Sequence, residues 1–440
     1  MLPPSRSSHA AAAALRSAVA ASAARRSFAS SAAAASDSGF ATAAVDGVTL
    51  AAKEFPGPIS TVSFVVKAGS RYATTSGVAH ALQRFAFQNT KTRSALRITR
   101  ESEFLGASLS SALSRDAIVL SADFLKADLP YFFEVLADVF SRPHLARHEL
   151  SEIVGPLLKL DTTLAAKDPV FVATDAVLSA AYRKGLGLPL YAQPTDSISA
   201  STVAAYKDAV YTKANLAVVG SGVSVAELSS LATDFLEDAP AGVVSPTAPS
   251  TFYGGDIRVP STYGNAVVIA TPAPTPEYAV LAAILGGSSS IKWSYGTSLL
   301  GAATPGTAYA KVLPFAGSSL FTITASVPAS ATETSAAAVA AVAALKSVAA
   351  SGVDTEAVKK GIAASKFAAL SAFEGKEGLV STGLGLLSTG ALPEIAAIAS
   401  AFDGVTAAKV QSAAESIVKG KVAVSAVGKV TELPYADELF

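Results

Sequence analysis

Asn215-Leu-Ala-Val-Val-Gly220 has a counterpart in Lys421-Val-Ala-Val-Ser-Ala-Val-Gly428. Both are short apolar runs that end at glycine, as strands do before a turn. The two glycines stand 208 positions apart in a chain of 440 residues. A helix-like stretch precedes each strand, over 201–210 and 405–418. A short polar segment and a Glu-Leu pair follow, Glu227-Leu228 and Glu432-Leu433. Similarity at a fixed offset is the mark of a duplicated unit, here about half the chain.

A second pair of strands keeps nearly the same offset. Ala117-Ile-Val-Leu-Ser-Ala-Asp123 parallels Leu320-Phe-Thr-Ile-Thr-Ala-Ser326, and each leads into a long helix, over 129–140 and 334–348. A turn and another helix follow, beginning near His148-Glu149-Leu150 and Thr355-Glu356-Ala357. The halves also open alike. Strand 62–66 precedes a helix bearing His80, and strand 266–270 precedes a helix over 278–285. Antiparallel-looking strands mixed with long helices predict an α+β fold rather than a doubly wound sheet. Between the halves, Glu237–Ser250 carries Pro240, Gly242, Pro246 and Pro249, and proline density without periodicity predicts a linker. The expected organisation is a domain at 37–236, a linker at 237–250 and a homologous domain at 251–440. Each is an antiparallel-rich sheet flanked by helices, and the pair is expected to close like a clam.

Hydrophobic residues make up 50% and charged residues 15% of the chain, where an average soluble domain carries about 25% charged residues. The deficit points to a surface covered by partners, with dilution by alanine as the alternative reading. A formal net charge of +0 makes no electrostatic case for nucleic acid. With no cysteine there is no disulfide and no thiolate metal site. No run reaches the length of about 18 apolar residues that a membrane span requires; the longest, Ser335–Leu345, stops at Lys346. Residues 1–36 differ from the rest, with Arg6, Arg16, Arg25 and Arg26, many Ala and Ser, and no acidic residue before Asp37. Such a segment predicts a mitochondrial transit peptide, with a cut after Phe28; a disordered Ala-rich tail is the alternative.

The helix after strand 62–66 reads Gly77-Val-Ala-His80-Ala-Leu-Gln83-Arg84-Phe-Ala-Phe87. In the pattern H-x-x-E-H, two histidines four residues apart hold zinc from one helix face and the glutamate activates water. Here the first histidine stands, the glutamate is Gln83 and the second histidine is Arg84. An amide takes no proton from water near neutral pH, and a guanidinium stays charged and repels a cation. His144 and His148 are another i, i+4 pair, flanked by Arg142, Pro143 and Arg147, where a solvated surface is the better reading. Lys91, Arg93, Arg97 and Arg100 are expected on one helix, the three arginines on one face, for phospholipid headgroups or an acidic partner unless the face is simply solvated.

Over nearly all of residues 40–440 the chain resembles the mitochondrial branch of the pitrilysin-type M16 metallopeptidases, a LuxS/MPP-like fold. That branch includes matrix processing peptidase subunits and core proteins of the cytochrome bc1 complex. The stretches that carry the resemblance are Ala68-Gly69-Ser70-Arg71-Tyr72 with Gly77-Val-Ala-His80, Gln88-Asn89-Thr90-Lys91-Thr92-Arg93, and Glu103-Phe104-Leu105-Gly106-Ala107. The resemblance makes His80, Gln83 and Arg84 the positions of a degenerate zinc site. It implies a distal glutamate whose place falls near Pro156, with Glu149, Glu152 and Asp161 out of register. Catalytic zinc needs three protein ligands and an open position. No catalytic residue, metal or cofactor is therefore expected.

The noncatalytic partner in processing peptidase carries a mobile run of glycines. The comparable region here is Leu285-Gly286-Gly287-Ser-Ser-Ser-Ile291-Lys292-Trp293-Ser294-Tyr295-Gly296, where the bulky Trp293 argues for packing. With Ser298-Leu299-Leu300 it is similar to the core protein 2 family of fungal-type bc1 complexes. That resemblance implies a non-catalytic scaffold, peripheral on the matrix side of the mitochondrial inner membrane. It implies a heterodimer with core protein 1, and contact with cytochrome b, cytochrome c1 and the Rieske subunit in a dimeric complex III. The alternative is the substrate-binding subunit of a processing peptidase.

Overall fold

The computed structural model describes residues 39–247, 250–287 and 296–440. The expected transit segment and the loop carrying Trp293 lie outside these residues.

In the first half the strands are β1 (Ala41–Val45), β2 (Val48–Lys53), β3 (Ile59–Val66), β4 (Ser108–Leu113), β5 (Ile118–Leu125) and β6 (Leu216–Ser221). In the second they are β7 (Gly255–Pro260), β8 (Ala266–Pro272), β9 (Ala308–Phe315), β10 (Ser318–Ser326) and β11 (Ala423–Gly428). The helices that matter below are α1 (Val78–Arg84), α2 (Ala95–Phe104), α3 (Leu129–Ser141), α4 (Gly155–Ala166), α5 (Pro169–Tyr182), α6 (Ala200–Val210) and α7 (Val225–Phe235). The second half contributes α8 (Glu277–Leu285), α9 (Ala331–Ser351), α10 (Thr355–Ser371), α11 (Lys376–Thr389) and α12 (Ala407–Lys419).

The first sheet runs β1-β2-β6-β3-β5-β4 and the second β7-β11-β8-β10-β9. Without the hairpin strand β1 the two orders coincide strand for strand. The bond pattern coincides too. β2 lies parallel to β6, with Leu50 opposite Val218, and β7 lies parallel to β11, with Ile257 opposite Ser425. The remaining pairs are antiparallel, including Phe64 opposite Leu120 and Ile323 opposite Ile269. The duplication read from the sequence is thus a duplication of topology.

One face of each sheet is covered by helices of its own half. α3 lays Phe132, Phe133 and Phe140 on the first sheet, with the Phe133 ring 5.3 Å from Phe64 and edge-on to it. α9 does the same in the second half through Ala338, Ala341, Val342 and Leu345. α9 is 21 residues long with a mean hydropathy of 1.4, so one helix does meet the length and composition of a membrane span. The expectation that Lys346 ends the apolar run fails: the helix continues past it, and its ammonium reaches the carbonyls of Leu439 and Phe440. The buried face identifies α9 as a core helix of this fold.

The opposite faces are covered by exchange. α5, from the first half, packs Ala173, Val177 and Ala181 against Ala266, Val268 and Val427 of the second sheet. α11, from the second half, packs Leu379 and Leu386 against Ala51, Val65 and Val219 of the first. Gly383 permits that approach, since a Cβ there would stand 2.7 Å from Val65 Cγ2. Burial on both faces explains why β6 and β11 are buried at nearly every position rather than at alternate ones. Polar bonds seal the exchange. Ser425 Oγ donates to Ala173 O at 2.6 Å, and Lys376 pairs with Asp123.

The linker is laid against the first half. Lys213 N donates to Pro240 O at 2.8 Å and Ser245 N to Asn215 Oδ1 at 2.7 Å. At its end Arg71 reaches Ser250 Oγ at 3.0 Å, Ala316 O at 2.7 Å and Asp116 Oδ1 at 3.1 Å, while Asp116 Oδ2 accepts Ala316 N at 2.9 Å. Arg71 and Asp116 therefore clasp the first half to the β9–β10 turn of the second.

Candidate functional site

α1 begins at Gly77, whose φ of 76° is a left-handed entry that glycine adopts without strain. The helix runs through the core, and His80 is fully buried. Its Nδ1 accepts a hydrogen bond from Ala192 N at 3.2 Å, which assigns the ring proton to Nε2, 3.0 Å from Asp161 Oδ2. Burial pushes the imidazole below its ordinary pKa of 6.5, against the opposing pull of Asp161. The ring is neutral near pH 7, and both nitrogens are engaged. Tyr191 packs against it at 4.8 Å between centroids.

Gln83, one turn on, donates from Nε2 to Ser111 O at 3.0 Å and Ser111 Oγ at 2.7 Å. A glutamate in its place could not do this, because an ionised carboxylate has no proton to give a carbonyl. Gln83 thereby ties α1 to the edge strand β4. Arg84 turns to α4 and binds Asp161 with two bonds, Nε to Oδ2 and Nη2 to Oδ1, each at 2.5 Å.

The structure therefore brings together His80, Arg84 and Asp161, and the expectation for the distal position is corrected. Asp161, not the neighbourhood of Pro156, faces α1; Pro156 lies on the wall of a cleft on another side of α4. The physical reason is that Pro156 and Asp161 stand five residues apart on α4, about 140° around the helix, so they face different neighbours. Glu149 is buried and engaged elsewhere, by Asn89 Nδ2 and by Ala146 N at 3.2 Å. Glu152 is exposed. A divalent cation does not fit this donor set. The imidazole offers no free lone pair, the amide presents its donor side, and a guanidinium occupies the carboxylate.

His144 and His148 are both exposed on the turn before α4. The basic cluster divides. α2 starts after its cap Ser94, so Lys91 and Arg93 precede the helix, correcting the expectation of three arginines on one helical face. Arg93 is internal, bonded to Glu134 at 2.6 Å and to Asp138, with its guanidinium 5.7 Å from the centre of the Tyr131 ring. Arg97 pairs with Glu101 at 2.8 Å, and Lys91 and Arg100 are exposed. In the Gly286-Gly287 region, a Cβ on Gly287 would stand 2.2 Å from Ala308 O, so this glycine is demanded by close packing.

Sequence reasoning set Asp161 aside as out of register, and it missed Ala192 and Asp116. A signal existed for the first: an arginine in a histidine's place on a buried helix calls for a carboxylate opposite it.

Comparison with known proteins supplies the descent. The insulinase model of peptidase family M16 matches residues 48–194, and the model of the M16 inactive domain matches 197–365. The chain belongs to peptidase family M16. Its relatives include the mitochondrial cytochrome b-c1 complex subunit 2 of Neurospora crassa, 41% identical over 91% of this chain and 93% of the relative. That of Yarrowia lipolytica is 40% identical over 91% and 97%. A probable mitochondrial-processing peptidase subunit alpha-2 of Arabidopsis thaliana is 32% identical over 56% of this M16 chain and 50% of the relative.

Proposed function

We propose that this chain is a non-catalytic core subunit of the mitochondrial cytochrome b-c1 complex, bracing an assembly whose electron carriers lie in other subunits. The observation that carries this reading is the Arg84–Asp161 pair, which puts a side-chain cation between α1 and α4, the helices that a metal would otherwise join. His80, Gln83 and Arg84 are on this reading the remains of a zinc site. The subunit 2 relatives, similar over nine-tenths of the chain, support the assignment. The finer reading is a peripheral matrix-side location with core protein 1 as heterodimer partner and cytochrome b, cytochrome c1 and the Rieske subunit nearby. Of the basic cluster, Lys91 and Arg100 are the exposed cations left for phospholipid.

The experiment is purification of the native assembly from mitochondria. Recovery in stoichiometric amount with cytochromes b and c1 is the expected result. Recovery as a soluble heterodimer that cleaves presequences would replace it with the processing-peptidase reading, which rests on a shorter similarity.

A further inference from the structure

We infer that the cleft between α4 and the start of α6 docks an acidic amphipathic segment of a neighbouring protein chain. The cleft has a volume of about 1000 Å³. Leu150, Leu158, Pro194 and Ile198 supply its apolar surface, and Arg147 and Lys159 stand on its walls. Among the described residues neither cation pairs with a carboxylate, whereas Asp196, also on the wall, is occupied by Gln193 N at 2.7 Å. The hydroxyls of Thr162 and Thr163 are spent on local carbonyls, Leu158 O at 2.9 Å and Lys159 O at 2.7 Å. The cleft therefore presents two positive side chains with no carboxylate partner against one carboxylate, Asp196.

The cleft walls are tied to each other and to α1 by hydrogen bonds. Thr162 Oγ1 holds Ala192 O at 2.8 Å, and Ala192 N holds His80. The Arg84–Asp161 pair fixes α4 against α1 from another side. Apolar pockets beside unmatched positive charge complement a segment with aliphatic residues on one face and carboxylates along its margin.

This inference rests on the reading of the chain as a subunit of a larger complex. The test is zero-length carbodiimide coupling of amines to carboxylates in the intact native assembly, followed by peptide mapping, with amine labelling of Lys159 in the assembly and in the isolated chain. The expected result is a Lys159 cross-link to an Asp- or Glu-bearing peptide of a different subunit, and labelling slowed at least about tenfold in the assembly. The R147E variant, which keeps the Lys159 amine and has its fold checked by thermal melting, should give a weaker Lys159 cross-link, and R147E/K159E should associate about tenfold more weakly at low salt. Equal labelling of Lys159 in both states overturns the inference while leaving the subunit reading intact. A cross-link to a second copy of this chain, or protection reversed by delipidation, also overturns it. Failure to find the chain in any assembly would instead sink the subunit reading.

Discussion

The Arg84 guanidinium and the Asp161 carboxylate meet edge to edge through two bonds of 2.5 Å. Two parallel bonds between planar groups fix angle as well as distance. Asp161 Oδ2 also receives His80 Nε2 at 3.0 Å, so one carboxylate gathers two side chains of α1 onto α4. A protein-borne cation gives a permanent cross-link that no chelator can remove.

Arg84→Ala is expected to lower stability by about 1–3 kcal/mol, because it leaves a mostly buried carboxylate with only the His80 bond. Asp161→Asn should cost a similar amount by stranding the guanidinium. The urea midpoint measures both, and the double variant should be less destabilised than the sum. Strict additivity would show that the pair is not coupled.

A double variant, Gln83→Glu with Arg84→His, frees Asp161 and returns a second imidazole to the α1 face. Stoichiometric zinc binding is still not expected in calorimetry, because Ala192 N continues to donate to His80 Nδ1 and keeps the ring proton on Nε2, the nitrogen that faces Asp161. The unmodified chain should bind none at comparable concentration. Zinc binding by the double variant would show that the Ala192 bond does not hold the His80 ring in that tautomer.

Stability should fall as the medium is acidified through His80. Burial depresses the folded pKa below 6.5, so between that folded value and 6.5 the unfolded chain binds a proton that the native chain does not. The contribution is fully present above about pH 6.5 and is lost as pH falls toward the folded value. His80→Gln should flatten this part of the curve when denaturation midpoints are compared from pH 5 to 7.5. An unchanged slope would place the titrating group elsewhere.

Arg71 and Asp116 form a buried pair at 3.1 Å that also grips Ala316. Removing either partner is expected to cost about 3–5 kcal/mol. The loss should be localised. Amide exchange should rise first where α5 and α11 cross between the halves, before the two sheets open. Exchange that rises evenly throughout would mean the clasp stabilises no particular junction.

Much of the fold was legible. The two runs ending at Gly220 and Gly428, and the strands at Ala117 and Leu320, recur because each half must build the same sheet, and apolar runs of that length have few other uses. The α1 triplet was legible because chemistry is local: Gln83 and Arg84 lack the donor properties of the groups they replace. Asp161 was not legible as the partner, since which face of α4 turns toward α1 is set by packing between helices far apart in the sequence. Arg93 was misplaced by one turn because the Ser94 cap, rather than the spacing of charges, sets where α2 begins.

The amino-acid sequence alone determined the duplication, the α+β class and the loss of metal-binding character at Gln83 and Arg84, because periodicity and side-chain chemistry belong to the residues themselves. The tertiary structure alone decided which carboxylate answers Arg84 and which helix covers which sheet. α5 and α11 each pack on the sheet of the other half, a choice made by the burial of two apolar faces far apart in the chain. Apolar surface has no address in the sequence: it is buried by whatever complementary surface the folded chain brings to it.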